Sequence, residues 1–356
     1  MGVLVEVVQH LRPGGIEKLA LDLIMDPPAG DSAVIVSLEG NYEKALTDWP
    51  GLHQFGDRII FLGKEHGIKV SLPVRLARLF RAIDARYVHT HHIGPLIYGG
   101  TACRLAGIRR LIHTEHDAWH LDDTRQARLT RLALGVLQPH LVADASVVAQ
   151  GIYHATGICA DTVILNGIDT ARFSPGDRTA SRRRFNLPTD QTVIGMAGRL
   201  HAVKNQSLAI SAFALFDQDA ILAIAGAGER KSELKRTAIQ LGVAERVRFL
   251  GHIDDMPSFY NAIDLFCLPS LNEGLPLCLL EAQSCGTRVV ASDVGGAREA
   301  VCPKTGYIVP PNDARELLTS WRTALSNTAT VSPREFVLSV GSKEVMCKAY
   351  AEILQC

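Results

Sequence analysis

Short apolar runs alternate along the chain with longer stretches in which apolar residues recur every three or four positions. Runs rich in Val, Ile and Leu at residues 3–8, 33–38, 59–62, 87–90, 110–113, 141–143 and 162–165 read as buried strands. Helical spacing fills 15–24, 72–85, 95–106 and 124–137 between them. A second series follows, with strands at 192–197, 221–225, 247–250, 265–268 and 288–292 and helices at 205–216, 229–241, 256–262 and 277–285. Strands that alternate with helices build βαβ units and hence parallel sheets. The stretch 174–190 breaks the rhythm: it is polar and basic, with Pro175, Pro188 and Arg182-Arg183-Arg184. The chain thus divides into two α/β halves joined near 166–174. Residues 342–354 read as a helix with no strand after it, so that helix must dock on something already built.

The length, 356 residues, suits two domains, and 47% hydrophobic with 21% charged residues excludes a disordered chain. Lys plus Arg and Asp plus Glu both number 37. That zero balance excludes a globally basic protein, so no nucleic acid is expected as a partner. The charge is nevertheless uneven, with 11 Lys/Arg against 5 Asp/Glu between Lys69 and Arg131. Arg75, Arg78 and Arg81 recur at helical spacing, and Arg125, Arg128 and Arg131 repeat the pattern. Such a face suits peripheral contact with an anionic membrane, and equally a solvated helix surface. The eight cysteines include no C-x-x-C pair and read as free thiols of a reducing compartment. Glu6 interrupts the N-terminal apolar run, which does not read as a signal peptide, and no window reaches membrane-spanning length. The expectation is a cytoplasmic protein, associated with the inner face of the membrane through its basic half.

In parallel sheets ligands bind outside the carboxyl ends of the strands, and the motifs fall there. Arg12-Pro13-Gly14-Gly15 follows the first strand, where glycine amides at a helix start suit an anion, although any tight turn can hold two glycines. Gly198-Arg199 with Lys204 sets two cations at a helix start, a place that disfavours cations unless an anion binds there. Gly226-Ala227-Gly228 fails the dinucleotide fingerprint because Lys231 stands at its third glycine position, which counts against a nicotinamide-dependent oxidoreductase. Asn272-Glu273-Gly274-Leu275-Pro276 opens a helix that carries Glu281, eight residues after Glu273. A carboxylate on that apolar helix needs a partner, either ligand hydroxyls or a neighbouring Arg. His89, His91, His92, His113, His116 and His120 crowd one region. His89 and His91 share a strand face, but no carboxylate or Cys completes a metal-ligand set in the pattern, so no metal is expected.

Taken together, these motifs resemble the retaining glycosyltransferases of family 4. The run 251–299 with its Glu273/Glu281 pair, the linker-like Asn166-Gly167-Ile168-Asp169 with Phe173 and Pro175, Gly14-Gly15-Ile16-Glu17, Gly198-Arg199 with Lys204, and Gly295-Gly296 with Glu299 occur in the family's order. The resemblance implies a GT-B fold: two facing Rossmann-like α/β domains, 1–167 for the acceptor and 168–335 for the nucleotide sugar, with an interdomain cleft. A C-terminal helix, 336–356, would cross back to the N-terminal domain. It implies that Gly14 and Gly15 approach the donor diphosphate and that Arg199 and Lys204 neutralise it. Gly251 and Ile253 would meet the base, Glu281 the ribose, and Glu273 with Gly274 and Leu275 the donor sugar. His116 would lie at the reaction centre, and Asp117 beside it would face the acceptor. The implied reaction moves a sugar from a nucleotide-diphosphate donor, UDP-linked or GDP-linked, to a hydroxyl of a glycan or lipid-linked acceptor, with no cofactor. An epimerase of the same architecture and a non-catalytic nucleotide-sugar-binding subunit are the alternatives.

Overall fold

The computed structural model describes residues 2–27, 32–216, 219–327 and 331–355. It divides into two units, one formed by residues 1–166 and 343–356 and the other by 167–342. In the first, β1 (Val3–Val8), β2 (Ala33–Ser37), β3 (Ile59–Phe61), β4 (Ala85–His91), β5 (Arg110–Glu115), β6 (His140–Ala143) and β7 (Thr162–Val163) form one sheet. Its order is β3-β2-β1-β4-β5-β6-β7, and every pairing is parallel. In the second, β8 (Thr192–Ala197), β9 (Ala220–Ala225), β10 (Val247–Gly251), β11 (Leu265–Leu268), β12 (Arg288–Ser292) and β13 (Tyr307–Val309) run β10-β9-β8-β11-β12-β13, again all parallel. Both are Rossmann-like α/β sheets with helices on both faces, which is why their strands are apolar runs rather than alternating ones.

Each unit has its own core. In the second, Ile194, Leu222, Cys267 and Val290 pack against Phe213, Phe216 and Trp321 of the covering helices. In the first, Leu19 and Leu23 of the Gly15–Met25 helix join Ile112 and Val142 of the sheet and Met346, Tyr350 and Leu354 of the Lys343–Gln355 helix. That last helix is part of the first unit although 176 residues of the other unit precede it.

The structure moves several boundaries. The hand-over back to the first unit falls at Ser342/Lys343 rather than at 336, because the Pro333–Val340 helix packs on the Leu277–Ser284 helix of the second unit. Gly167 belongs with the second unit. The polar stretch 174–190 is no simple linker: Asp177 caps an Arg178–Arg184 helix whose Arg182 is buried. The 72–85 helix stops at Ala82, and Ala85 already starts β4. The 95–106 segment contains a π turn over Leu96–Gly100. Cys356 lies outside the described residues, and the other seven cysteines are free. Among the described residues no helix is long and apolar enough to cross a membrane.

Candidate functional site

In the second unit, the turns at the carboxyl ends of β8, β9, β10 and β11 surround a concavity of about 480 Å³ lined by Gly198, Arg199, Lys204, Gly226, Ile253 and Cys278. A larger one, about 610 Å³, lies at the opposite end of the same sheet beside Asp190, Thr192, Asp264 and Arg288. Strand direction favours the smaller as the site. Gly226 has φ +140°, and a Cβ there would lie 2.0 Å from the Gly198 carbonyl oxygen, so only glycine lets these two turns stack. Lys204 Nζ donates to Glu273 Oε1 at 2.6 Å, and Ser270 Oγ donates to the same oxygen at 2.6 Å. Arg199 is exposed at the rim, and its carbonyl accepts from Gln206 Nε2 at 2.9 Å.

The Glu273–Leu275 loop is held by the later glycine pair. Gly296 N–H donates to the Gly274 carbonyl at 2.8 Å, and Gly295, at φ +52°, lies so close that a Cβ would sit 1.8 Å from the Glu273 carbonyl oxygen. Leu275 is buried. Gly251 ends β10 at φ +76°, and its carbonyl accepts from Gly226 N–H at 2.6 Å. Glu281 is half-buried and accepts from the hydroxyl of the buried Tyr260 at 2.8 Å. Burial, with Glu281 beside it, pushes the Tyr260 hydroxyl well above its ordinary range. The Cys278 thiol, pushed up to about 12 by burial, feels Lys204, Glu273 and Glu281 together. One cation and two carboxylates therefore gather around the start of the Leu277–Ser284 helix. Tyr260 and Ser270, which hold the two carboxylates, carry no signal in the sequence pattern.

In the first unit Gly14 caps the Gly15–Met25 helix in extended conformation. The helix start is already occupied by an anion of the chain itself: Glu17 Oε2 reaches within 2.3 Å of where a Gly14 Cβ would stand. His10 Nδ1 lies 3.1 Å from the other Glu17 oxygen, and that hydrogen bond raises the His10 pKa. Asp117 pairs with His120 at 3.0 Å.

His116 is buried, with both ring nitrogens engaged inside the unit. Its Nε2 lies 3.0 Å from His91 Nδ1, and its Nδ1 lies 3.3 Å from Asp144 Oδ2 and 3.4 Å from Asn166 Nδ2. His91 Nε2 lies 2.8 Å from Glu6 Oε2, and His89 Nδ1 lies 3.2 Å from Glu6 Oε1. His89 Nε2 meets Thr114 Oγ1 at 2.8 Å, and Thr114 meets the Tyr350 hydroxyl at 3.0 Å. Burial and the neighbouring imidazoles push His116 well below its ordinary range and hold His91 at about 4. Burial alone would raise Glu6, but His89 and His91 bring it down to about 2. His92, next along, has φ 66° and ψ 164°, a backbone region nearly confined to glycine.

One expectation is corrected here. A carboxylate does complete the histidine pair: Glu6, opposite His89 in the β1/β4 register, brings three ligand-type atoms within 4.8 Å of one another. The distances of 2.8–3.2 Å are those of direct hydrogen bonds, which satisfy all three groups as they stand. The signal was Glu6 itself, a lone carboxylate in the middle of a buried strand.

The model for glycosyl transferases group 1 matches residues 177–335, and that for glycosyltransferase family 4 matches residues 13–172. The D-inositol 3-phosphate glycosyltransferase of Salinispora tropica is 37% identical over 338 residues, covering 83% of this chain and 68% of that protein. The protein of the same name from Geodermatophilus obscurus is 37% identical over 185 residues, covering 48% of this chain and 41% of its own length, so the match spans well under two thirds of that relative. The crystal structure of Anabaena HepE in complex with UDP superimposes with a TM-score of 0.87 at 22% identity, covering 100% of both chains. Two parallel-sheet Rossmann-like units and a close relative across most of the sequence lead to one assignment: the chain belongs to glycosyltransferase family 4, with the GT-B fold.

Proposed function

We propose that this chain is a retaining glycosyltransferase that moves a sugar from a nucleotide-diphosphate donor, in the first place a UDP-sugar, to a hydroxyl acceptor without the help of a metal ion. The observation that carries the reading is that Arg199 and Lys204 line one concavity at the carboxyl ends of the second sheet, with Glu273 held to Lys204 at 2.6 Å. Cleavage of the bond between the anomeric carbon and the diphosphate oxygen leaves negative charge on the phosphate and positive charge on the sugar. Lys204 and Arg199 are the groups to stabilise the first. Preorganised charge of this kind is usually the largest catalytic contribution. Lys204 is now paired with Glu273, so an arriving diphosphate takes over the ammonium while Glu273 turns to sugar hydroxyls. Glu281, steadied by Tyr260, accepts from the ribose hydroxyls. The acceptor oxygen bonds to the anomeric carbon, and its proton leaves with the departing phosphate. The products are the glycoside and a nucleoside diphosphate.

The acceptor in this reading is a glycan or lipid-linked hydroxyl. The name of the Salinispora tropica relative supports an acceptor hydroxyl, and an exposed face of the first unit supports a membrane-borne one. On the Thr124–Leu137 helix Leu129, Leu132 and Val136 are exposed together with Arg125, Arg128 and Arg131. An anionic bilayer matches that mixture of cations and apolar side chains.

The test is a panel of nucleotide sugars offered to the full chain, with release of nucleoside diphosphate and mass of the product as readouts. Release together with a new glycoside supports transfer. An epimerised donor, or tight binding without turnover, overturns it. Lys204→Ala and Arg199→Ala are each expected to lose about 10²–10³ in rate while folding normally. Full activity in either variant would remove that residue from the diphosphate site.

A further inference from the structure

We infer that Glu6, deep in the first sheet, is a positioning residue that decides which ring nitrogen of His116 carries the proton. Glu6 lies in the middle of β1 with no exposed surface, and the β1/β4 register sets it against His89. Two imidazole nitrogens converge on its carboxylate, His91 Nε2 at 2.8 Å and His89 Nδ1 at 3.0 Å from the same oxygen. A buried carboxylate needs donors, so both nitrogens bear hydrogen. A neutral His91 with its hydrogen on Nε2 has a lone pair on Nδ1. That lone pair faces His116 Nε2 at 3.0 Å, so His116 must donate from Nε2. Its Nδ1 is then the acceptor, beside Asn166 Nδ2 at 3.4 Å, while Asn166 donates to Asp144 Oδ2 at 2.9 Å.

Asp144 lies 3.3 Å from His116 Nδ1, and an Asp–His pair taken alone would put the hydrogen on Nδ1. Glu6 reaches His116 only through His91, yet the chain of donors is continuous and buried throughout. At its other end His89 Nε2 lies 2.8 Å from Thr114 Oγ1, which meets Tyr350 of the Lys343–Gln355 helix. Joined to the proposed transferase reading, with His116 beside the sugar as the family resemblance implies, a neutral ring locked by Glu6 keeps an imidazolium away from the positive charge that develops there.

The test is the ¹⁵N spectrum of the full chain labelled in histidine, with His116 assigned by loss of its signals in His116→Gln. The wild type is expected in the Nε2–H form from pH 6.5 to 8. Asp144→Asn should leave that form in place, and Glu6→Leu should shift His116 to Nδ1–H by handing control to Asp144. A wild-type Nδ1–H signal overturns the inference, and so does a tautomer that follows Asp144→Asn but not Glu6→Leu. If Glu6→Leu does not fold, the wild-type and Asp144→Asn spectra still decide. Zinc retained stoichiometrically by the wild type and lost in Glu6→Leu also overturns it, because a coordinated His91 Nε2 cannot donate to Glu6. None of these readouts depends on transfer, so a failed tautomer and a failed transferase reading are told apart. With transfer established, Glu6→Leu is expected to lower kcat at least about tenfold with donor KM little changed, since a wrong tautomer costs rate rather than binding.

Discussion

Arg182 shows what a run of like charges conceals. Three consecutive arginines in a polar stretch read as solvated, and Arg183 is indeed exposed. Arg182 is 1% exposed and spans the base of the second unit. Its Nε donates to the Ala262 carbonyl, its Nη1 to the carbonyls of Pro188, Thr189 and Gln191, and its Nη2 to Asp264 at 2.6 Å. Asp264 in turn accepts from Val193 N–H and so ties the start of β8 to the start of β11. Removing the guanidinium would leave four carbonyls and much of a carboxylate charge without their partner. Arg182→Ala is therefore expected to cost about 3–5 kcal/mol in urea unfolding, whereas Arg183→Ala should stay within about 0.5 kcal/mol. Equal effects would contradict the assignment. The site is similar at this scale. Glu273, Glu281, Lys204 and the glycine pair could be named from spacing and resemblance. The groups that hold them, Ser270 and Tyr260, could not, because a lone Ser or Tyr forms no pattern that says which carboxylate its hydroxyl meets.

Among the elements, most strands were legible nearly to the residue as runs of Val, Ile and Leu, whereas β13, three residues at the sheet edge, was too short to stand out. β8, β11 and β12 begin and end where the apolar runs do. Helices were legible where the stripe was clean, as at Thr124–Leu137 with Ala127, Thr130, Ala133, Leu134 and Leu137 inward. The Ser146–Thr156 helix escaped notice because Val147, Val148 and Gly151 are weak helix formers, overruled here by packing. Spacing also did not tell which basic face is free. Arg75 donates to the Leu62 carbonyl and Arg81 to the Leu105 carbonyl, so the first arginine series is partly spent on holding loops. On the Thr124–Leu137 helix the arginines flank exposed Leu132 and Val136. Binding to vesicles containing phosphatidylglycerol at low salt is expected to fall about a hundredfold when Arg125, Arg128 and Arg131 are all changed to Ala, at about 1 kcal/mol each. Unchanged flotation with the vesicles would leave that face a solvated one.

For the molecule as a whole, the buried histidine network predicts an acid limb of stability. His91 is held at about 4 against an ordinary 6.5, so below pH 6.5 the unfolded chain takes up the proton first and stability falls toward pH 4. Glu6 is held at about 2 against 4.5, so its contribution is complete above pH 4.5 and drains away as pH falls toward 2. Urea midpoints measured from pH 8 to 4 should be level at first and then decline below about 6.5. A flat profile down to pH 4 would contradict the buried, neutral state of His91. The two-unit plan was legible from the doubled strand–helix series, and so was a final helix that had to dock elsewhere. The hand-over at Ser342 was not, because Ile168 and Ser342 meet only in space, as an isolated bridge.

That hand-over has a consequence for synthesis. The ribosome delivers β1 to β7 first, but the helix that brings Met346, Tyr350 and Leu354 to their core arrives only after residues 167–342. At typical elongation rates that interval is roughly ten to thirty seconds. Meanwhile the nascent first sheet keeps Ile112 and Val142 partly uncovered, and Thr114 lacks its tyrosine. The second unit can close as soon as Ser342 emerges. The earlier-made half is thus the later to mature, and it is the nascent first sheet that a chaperone would have to shield.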